Sequence, residues 1–260
     1  MYPVLFTIGD TPVHSYYLLW TLALMMAVLL VRSRMTGMYG LVDDDARAII
    51  IWGFLGMLLG ARMGSVYDSW AIYRADLWRI LRVWEGGLSA IPAFLGAAAL
   101  SLVASLARGV SFWKVVDAAA TPAALTVAVG RWGCFLNGCC WGIVTTSPLG
   151  VRFISDSPDV LRHPTQLYYS FGALAIAGLL QWTEQALLGD GDARRVKGAV
   201  LCPLFSVLYS VMRLSIDPFR SDYYGAGMQL NRYILSVTAV VGAAWLAHSL
   251  FAKRGGERGL

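Results

Sequence analysis

At 260 residues the chain is 57% hydrophobic and only 14% charged, with a mean hydropathy of +0.59. Soluble domains carry about 25% charged residues, so a soluble globular protein is excluded and an integral membrane protein is expected. The net charge of +5 is too small to argue for nucleic-acid binding and reads as a bias in membrane orientation.

No basic segment precedes the first apolar run and no small-residue cleavage site follows it, so a removed signal peptide is not expected. Val4 to Tyr17 has Gly9-Asp10 at its middle, which suits a short hairpin on the membrane surface. Seven runs then have the length of about 17 to 25 residues that crosses a bilayer. They lie at 16–31, 48–67, 88–107, 115–136, 166–182, 199–217 and 232–251. The expected fold is an all-α integral membrane architecture of about seven transmembrane helices. It forms one domain over 1–260, with a surface segment at 1–15 and short loops on the outer face.

The 12 Tyr and 10 Trp fit aromatic belts at the two interfaces, and the 27 Gly suit close helix approach in lipid. An outside N-terminus leaves 32–47, 108–114, 189–197 and 253–258 on the inner face. These segments hold more Lys and Arg than 74–82, 152–162 and 220–232, which predicts N-out and C-in.

Three arginines, Arg62, Arg131 and Arg213, fall within spans. A charge there is costly and marks a function by default. Each is near the outer end of its span, roughly 6 to 8 Å below the boundary at 1.5 Å rise per residue. That is the depth of lipid phosphate, and guanidinium groups bind phosphate bidentately. The plainer alternatives are an i,i+4 pair of Arg213 with Asp217 that neutralises itself, or arginines that snorkel to the interface.

The densest chemistry is Gly130 to Gly142, GRWGCFLNGCCWG, at the end of the fourth span. On a helix Cys134 shares a face with Gly130 and Arg131. Gly138 suits a helix end, which puts Cys139 and Cys140 just beyond it. Three readings of these cysteines stay open. They are small residues in the wall of a lipid pocket, redox or nucleophilic thiols with a disulfide permitted on the oxidising outer side, or metal ligands together with His163. The C-x4-C-C spacing is not a standard zinc pattern, and no metal or cofactor is assigned. Cys202 reads as core. His14, His163 and His248 are the only histidines.

At these residues the chain resembles the prolipoprotein diacylglyceryl transferase family, and the resemblance covers nearly the whole length. Pro3 to Gly9 with His14-Ser15-Tyr16, Gly53 to Gly64 (GFLGMLLGARMG) and Arg82 to Ser89 (RVWEGGLS) match in order. They are followed by Gly130 to Gly142, Arg162 to Tyr168 (RHPTQLY) and Arg213 to Arg220 (RLSIDPFR). The resemblance implies a multi-pass protein of the bacterial cytoplasmic (inner) membrane that moves diacylglyceryl from phosphatidylglycerol onto the lipobox cysteine of a prolipoprotein signal peptide, without a cofactor. It implies that Tyr16, Arg131, Asn137, Gly142 and Arg213 hold the lipid or react, that Arg220 and His163 support them, and that Asp217 stands for a glutamate. Gly130, Gln166 and Arg62 join the expected pocket, as do Cys134 and Cys139.

The departures fall at the chemistry. Ile91, within Ala90-Ile91-Pro92-Ala93, stands where the family has a catalytic histidine. Cys134 replaces an asparagine and Cys139 a glutamate, and Asn231-Arg232-Tyr233 lacks the family's glycine-glutamine step. In the implied reaction a substrate thiol attacks the glycerol carbon and glycerol phosphate departs. Arg131 and Arg213 suit the leaving phosphate, Asp217 assists them, and His163 is the histidine with motif support as a replacement base, or else orients its loop ahead of Pro164. A non-catalytic phospholipid-binding protein and a membrane thiol or redox protein are the alternative functions.

Overall fold

A computed structural model of the chain describes residues 1–83, 86–87, 89–157, 159–188, 200–221, 223 and 226–256, without the side chains of 90–91, 226–228, 230 and 249–256. Trp84, Glu85 and Leu88 of the third matched stretch, the inner turn 189–197, the side chain of Ile91 and the basic residues at 253–258 therefore lie outside the described residues.

Each expected span falls on a helix: α1 Ser15–Gly37, α2 Asp43–Asp68, α4 Ala90–Ala107, α5 Phe112–Asn137, α6 Thr165–Leu188, α7 Leu201–Ile216 and α8 Ala226–Gly256. A single turn, α3 Trp70–Tyr73, follows α2. Three of them, α1, α2 and α5, are long and apolar enough to cross a membrane by length and composition, and Pro92–Ala107 is a shorter apolar helix. Several helices run past their apolar stretch because charged residues continue them. Asp43 opens α2 and accepts hydrogen bonds from Arg32 of α1 at 2.7 and 2.9 Å and from Arg47 one turn on. Hydrogen bonds from Arg32 and then Arg47 hold the Asp43 carboxyl well below the usual carboxylate range, although such an exposed cluster adds little stability.

The all-α expectation needs one correction. Val4–Ile8 (β1) and Thr11–His14 (β2) pair as an antiparallel hairpin, turning at Gly9, whose φ of 59° is left-handed. Its apolar Val4, Leu5, Phe6 and Ile8 are exposed, as suits an element on a lipid surface. Ser15 N–H donates to Pro3 O at 2.9 Å and Tyr2 N–H to Leu136 O at 3.0 Å, fixing the hairpin to the start of α1 and the end of α5.

The chain forms two compact units, residues 32–115 and residues 1–31 with 116–260. Within the first, α2 and α4 pack backbone to backbone. A β-carbon on Gly56 would lie 2.2 Å from Gly96 O, and one on Gly60 would lie 2.1 Å from Pro92 O. Small residues four apart open this approach. Arg62 is buried on α2. Its Nε donates to Ile80 O at 2.8 Å, its Nη1 to Gly87 O at 3.2 Å and to Gly86 O, and its Nη2 to Arg82 O at 3.0 Å and to Arg79 O.

Within the second unit, Ala120 and Ala124 of α5 pack with Ile176, Ala177 and Leu180 of α6 and Leu201 of α7. Ser170 Oγ bonds Ala128 O at 2.8 Å, which ties α6 to α5. At the opposite end of α7, buried Asp117 of α5 accepts from Val200 N–H at 2.9 Å and Cys202 N–H at 2.8 Å. A carboxylate from a neighbouring helix thus caps the N-terminus of α7, where free N–H groups and the helix dipole favour an anion.

Two substitutions test this packing. Gly60→Ala forces a methyl into the Pro92 carbonyl and is expected to cost about 1 to 3 kcal/mol, as overpacking does. Asp117→Ala strands two buried N–H groups and is expected to cost about 2 kcal/mol. Thermal melts in detergent would show both losses; wild-type melting would contradict the assignments.

Candidate functional site

The centre of the site is Tyr169 on α6, fully buried. Its hydroxyl donates to Asp217 Oδ1. Asp217 opens the short 3-10 turn Asp217–Phe219, where Pro218 ends α7. Arg213 lies one turn earlier, with Nε 3.2 Å from Asp217 Oδ1 and Nη2 3.4 Å from Oδ2. The i,i+4 pair expected from the sequence is thus formed. The Arg213 guanidinium also lies over the Tyr169 ring, 5.0 Å from its centroid, and the Arg131 guanidinium of α5 lies over the same ring at 4.5 Å. Each such contact is worth about 0.5 to 2 kcal/mol.

One ring therefore organises two arginines, and one carboxylate pairs with the second. Among the described residues no carboxylate pairs with Arg131. Arg220 adds a third cation within electrostatic reach of Tyr169 and Arg213. Among the described residues the guanidiniums of Arg131 and Arg213 at the Tyr169 ring meet one carboxylate, Asp217, an arrangement that suits an external anion.

The three cysteines are placed by the way α5 stops. Gly138 has φ 71°, and its N–H bonds Phe135 O at 3.1 Å while Cys139 N–H bonds Cys134 O at 3.1 Å. This is a Schellman stop, which brings the residue after the glycine back over the third-last helical residue. Here those two residues are Cys139 and Cys134. Cys140 follows with φ 62°, left-handed despite its side chain. All three thiols are free, and their sulfurs lie within 4.8 Å of one another. Cys134 is buried, Cys139 half-buried and Cys140 exposed. Hydrogen bonds from Cys134, then Cys140, and more weakly from Asn137, pull the Cys139 thiol below its ordinary pKa.

The segment after the stop is locked by the stretches Arg162 to Tyr168 and Arg213 to Arg220. Gln166 Nε2 donates to Cys139 O at 2.6 Å and Thr165 Oγ1 to Cys140 O at 2.9 Å. Gly142 bridges Arg220, and Ile143 N–H bonds Phe219 O at 2.8 Å. A β-carbon on Gly142 would lie 2.5 Å from Phe219 O and 2.7 Å from His163 Cβ, so only glycine fits there. His163 Nδ1 is 3.0 Å from Tyr168 Oη, and its ring meets Phe219 edge to face at 5.1 Å. Arg162 pairs with Asp156 and lies over Trp141 at 5.6 Å. Its hydrogen bond holds the Asp156 carboxyl below the usual range, so this clamp is intact at neutral pH and is lost only as pH falls through that lowered pKa.

On the other flank, α1 lies on Gly130 and Gly133, the first two of the stretch's four glycines. A β-carbon on Gly130 would be 2.8 Å from the Trp20 ring, and one on Gly133 would be 3.3 Å from Tyr16 O. The Tyr16 hydroxyl is within electrostatic reach of all three thiols. Buried Trp20 Nε1, Gln166 Oε1 and Arg213 Nε have no hydrogen-bond partner among the described residues, which leaves them able to bond water or a bound polar group.

Tyr16, Gly130, Arg131, Cys134, Asn137, Cys139, Gly142, His163, Gln166, Arg213, Asp217 and Arg220 thus all belong to one compact unit. Arg62 serves a different structure, since each of its guanidinium nitrogens is engaged by the carbonyls of 79–87. Tyr169 and Trp20 are not distinguished in the sequence from belt aromatics. Tyr169 falls three residues after Gln166 on the same helical face, which is the signal that marks it.

A family model described as prolipoprotein diacylglyceryl transferase matches residues 3–249. The phosphatidylglycerol--prolipoprotein diacylglyceryl transferase of Legionella pneumophila is 31% identical over 256 residues, covering 94% of this chain and 95% of that protein. Its counterpart from Solidesulfovibrio magneticus is 31% identical, covering 94% and 92%. That from a Nostoc species is 30% identical, covering 94% and 89%. The chain belongs to the prolipoprotein diacylglyceryl transferase family.

Proposed function

We propose that this chain transfers the diacylglyceryl group of phosphatidylglycerol to the cysteine thiol of a prolipoprotein, as one domain of seven spans in the bacterial inner membrane with its N-terminus outside. The observation that carries this reading is the placing of Arg131 and Arg213 over buried Tyr169, with Asp217 paired to Arg213 and, among the described residues, no carboxylate paired to Arg131. An anionic headgroup supplies the charge that this arrangement lacks.

The phosphate receives hydrogen bonds from Arg131 and Arg213, which strengthen as the C–O bond to the glyceryl carbon breaks and charge builds on the departing glycerol phosphate. Asp217 and Tyr169 are positioning residues: they hold Arg213 and set the distance between the two guanidiniums. Trp20 Nε1, a donor, and Gln166 Oε1, an acceptor, suit the hydroxyl groups of the headgroup, with Tyr16, Asn137 and Arg220 beside them. The acceptor is the signal peptide of a prolipoprotein with its lipobox cysteine. His163 orients the outer loop through Tyr168, and Gly142 keeps that loop closed on Phe219.

A non-catalytic lipid-binding protein is the second reading, favoured by Ile91 at the position of the family's histidine. Labelled phosphatidylglycerol and a lipobox peptide separate the two. The transfer reading expects a thioether product with release of glycerol phosphate; lipid binding without product from any acceptor would remove it. Arg131→Ala is expected to lower turnover by about 100- to 1000-fold, the scale of losing one donor to developing charge. Tyr169→Phe keeps the ring and loses only the bond to Asp217, so a loss of about tenfold is expected, equivalent to about 1.4 kcal/mol. A Tyr169→Phe loss as large as that of Arg131→Ala would contradict the positioning role.

A further inference from the structure

The transfer chemistry above leaves two questions open: what the thiol cluster does, and what prepares the incoming nucleophile. The nucleophile in S-alkylation is a thiolate, and a free cysteine thiol with a pKa of about 8.5 is mostly protonated at neutral pH. Ile91 has no group to accept that proton.

We propose that Cys134, Cys139 and Cys140 bind one thiophilic divalent cation of the zinc class, and that the acceptor cysteine enters as its fourth ligand. The identity of the fourth ligand rests on the transfer reading; the three-thiolate site does not.

The geometry suits such an ion. The three sulfurs lie within 4.8 Å of one another, no disulfide joins them, and Cys139 Sγ and Cys140 Sγ are 3.8 Å apart. Two thiolates on one zinc ion at about 2.3 Å are about 3.8 Å apart at a tetrahedral angle. The backbone is fixed on both sides of the cluster. The Schellman stop seats Cys139 over Cys134, while Gln166 and Thr165 hold the carbonyls of Cys139 and Cys140. These bonds orient the ligands from outside, as the supporting shell of a metal site does.

Burial is graded from buried Cys134 to exposed Cys140, so the cluster is closed at one end and reachable at the other. Three protein ligands with an open fourth position is the pattern of a reactive zinc site, whereas a purely structural site is closed by four. Three thiolates on a dication leave one net negative charge, and the Arg131 guanidinium is within Coulombic reach of all three sulfurs.

The chemical consequence follows from coordination. A metal-bound thiol is deprotonated outright. The acceptor thiol displaces water from the fourth position and its proton passes to the outer aqueous phase. A lone pair on the bound sulfur forms the S–C bond to the glyceryl carbon as the C–O bond to phosphate breaks, and that electron pair leaves on glycerol phosphate. The product is a neutral thioether, a weaker ligand, so it dissociates and reopens the position. The metal does not change oxidation state.

The test uses the full chain, purified in lipid-containing detergent with its thiols reduced and supplied with Zn2+ or Co2+ alone. The expected result is one ion per chain. With Co2+, a sulfur-to-cobalt charge-transfer band and tetrahedral d–d bands should appear, and these should shift when a lipobox-cysteine peptide is added. Cys139→Ser and Cys134→Ser should weaken binding roughly 100-fold or more. Cys202→Ser should bind as wild type, which guards against a general thiol effect; retained phosphatidylglycerol binding shows that the variants fold. No stoichiometric ion on reduced wild-type protein overturns the site. An ion whose spectrum ignores the peptide, with turnover unchanged after its removal, overturns the acceptor role. Bound metal with no transfer to any acceptor overturns the transfer reading and leaves the three-thiolate site standing.

Discussion

Two guanidinium groups held over one buried tyrosine ring, with one carboxylate to balance them, is the constraint on which the site depends. Removing charge from water costs several kcal/mol per ion unless partners replace the hydration. Asp217 balances Arg213, and the Tyr169 ring gives both cations a polarisable face. Arg131 has the ring but no carboxylate among the described residues. A charge kept at such a position marks a functional site by default. Phosphatidylglycerol carries an anion of the kind that the proposed role of Arg131 and Arg213 requires.

The second organising feature is how α5 ends. A helix that continued past Asn137 would send Cys139 and Cys140 around its far side. Gly138 instead turns the chain back, so the thiols collect beside Arg131, and the following residues run into the grip of Thr165, Gln166, Phe219 and Arg220. Lipid recognition and thiol chemistry are therefore set by one helix terminus. Substitutions of Gly138 or Gly142 disturb both at once, because Gly138 holds a left-handed φ of 71° and a side chain at Gly142 would run into Phe219 O and His163.

Much of this was legible in the residues. Among the described residues hydropathy located each helix longer than a single turn, and its bounds differ at the ends: charged residues extend α2 from Asp43 to Arg47, α8 begins at Ala226 rather than 232, and α7 begins at Leu201 rather than 199. The hairpin was marked by Gly9-Asp10 and the helix stop by Gly138, since both glycines have local conformational reasons. The i,i+4 spacing of Arg213 and Asp217 showed the ion pair. Equal depth grouped Arg62 with Arg131 and Arg213, yet depth does not reveal a partner, and Arg62 is engaged by backbone carbonyls of 79–87, which no side-chain pattern announces. Tyr169 and Asp117 were hidden for the same reason: each draws its importance from another helix, through Asp217 and through the N-terminus of α7.

The most direct test of the central claim is an experimental map of the protein in a bilayer containing phosphatidylglycerol. The account predicts a lipid phosphate within hydrogen-bond distance of both the Arg131 and Arg213 guanidinium groups, with Tyr169 still bonded to Asp217. A map in which the lipid phosphate lies elsewhere, with Arg131 paired to a carboxylate of the protein, would contradict it.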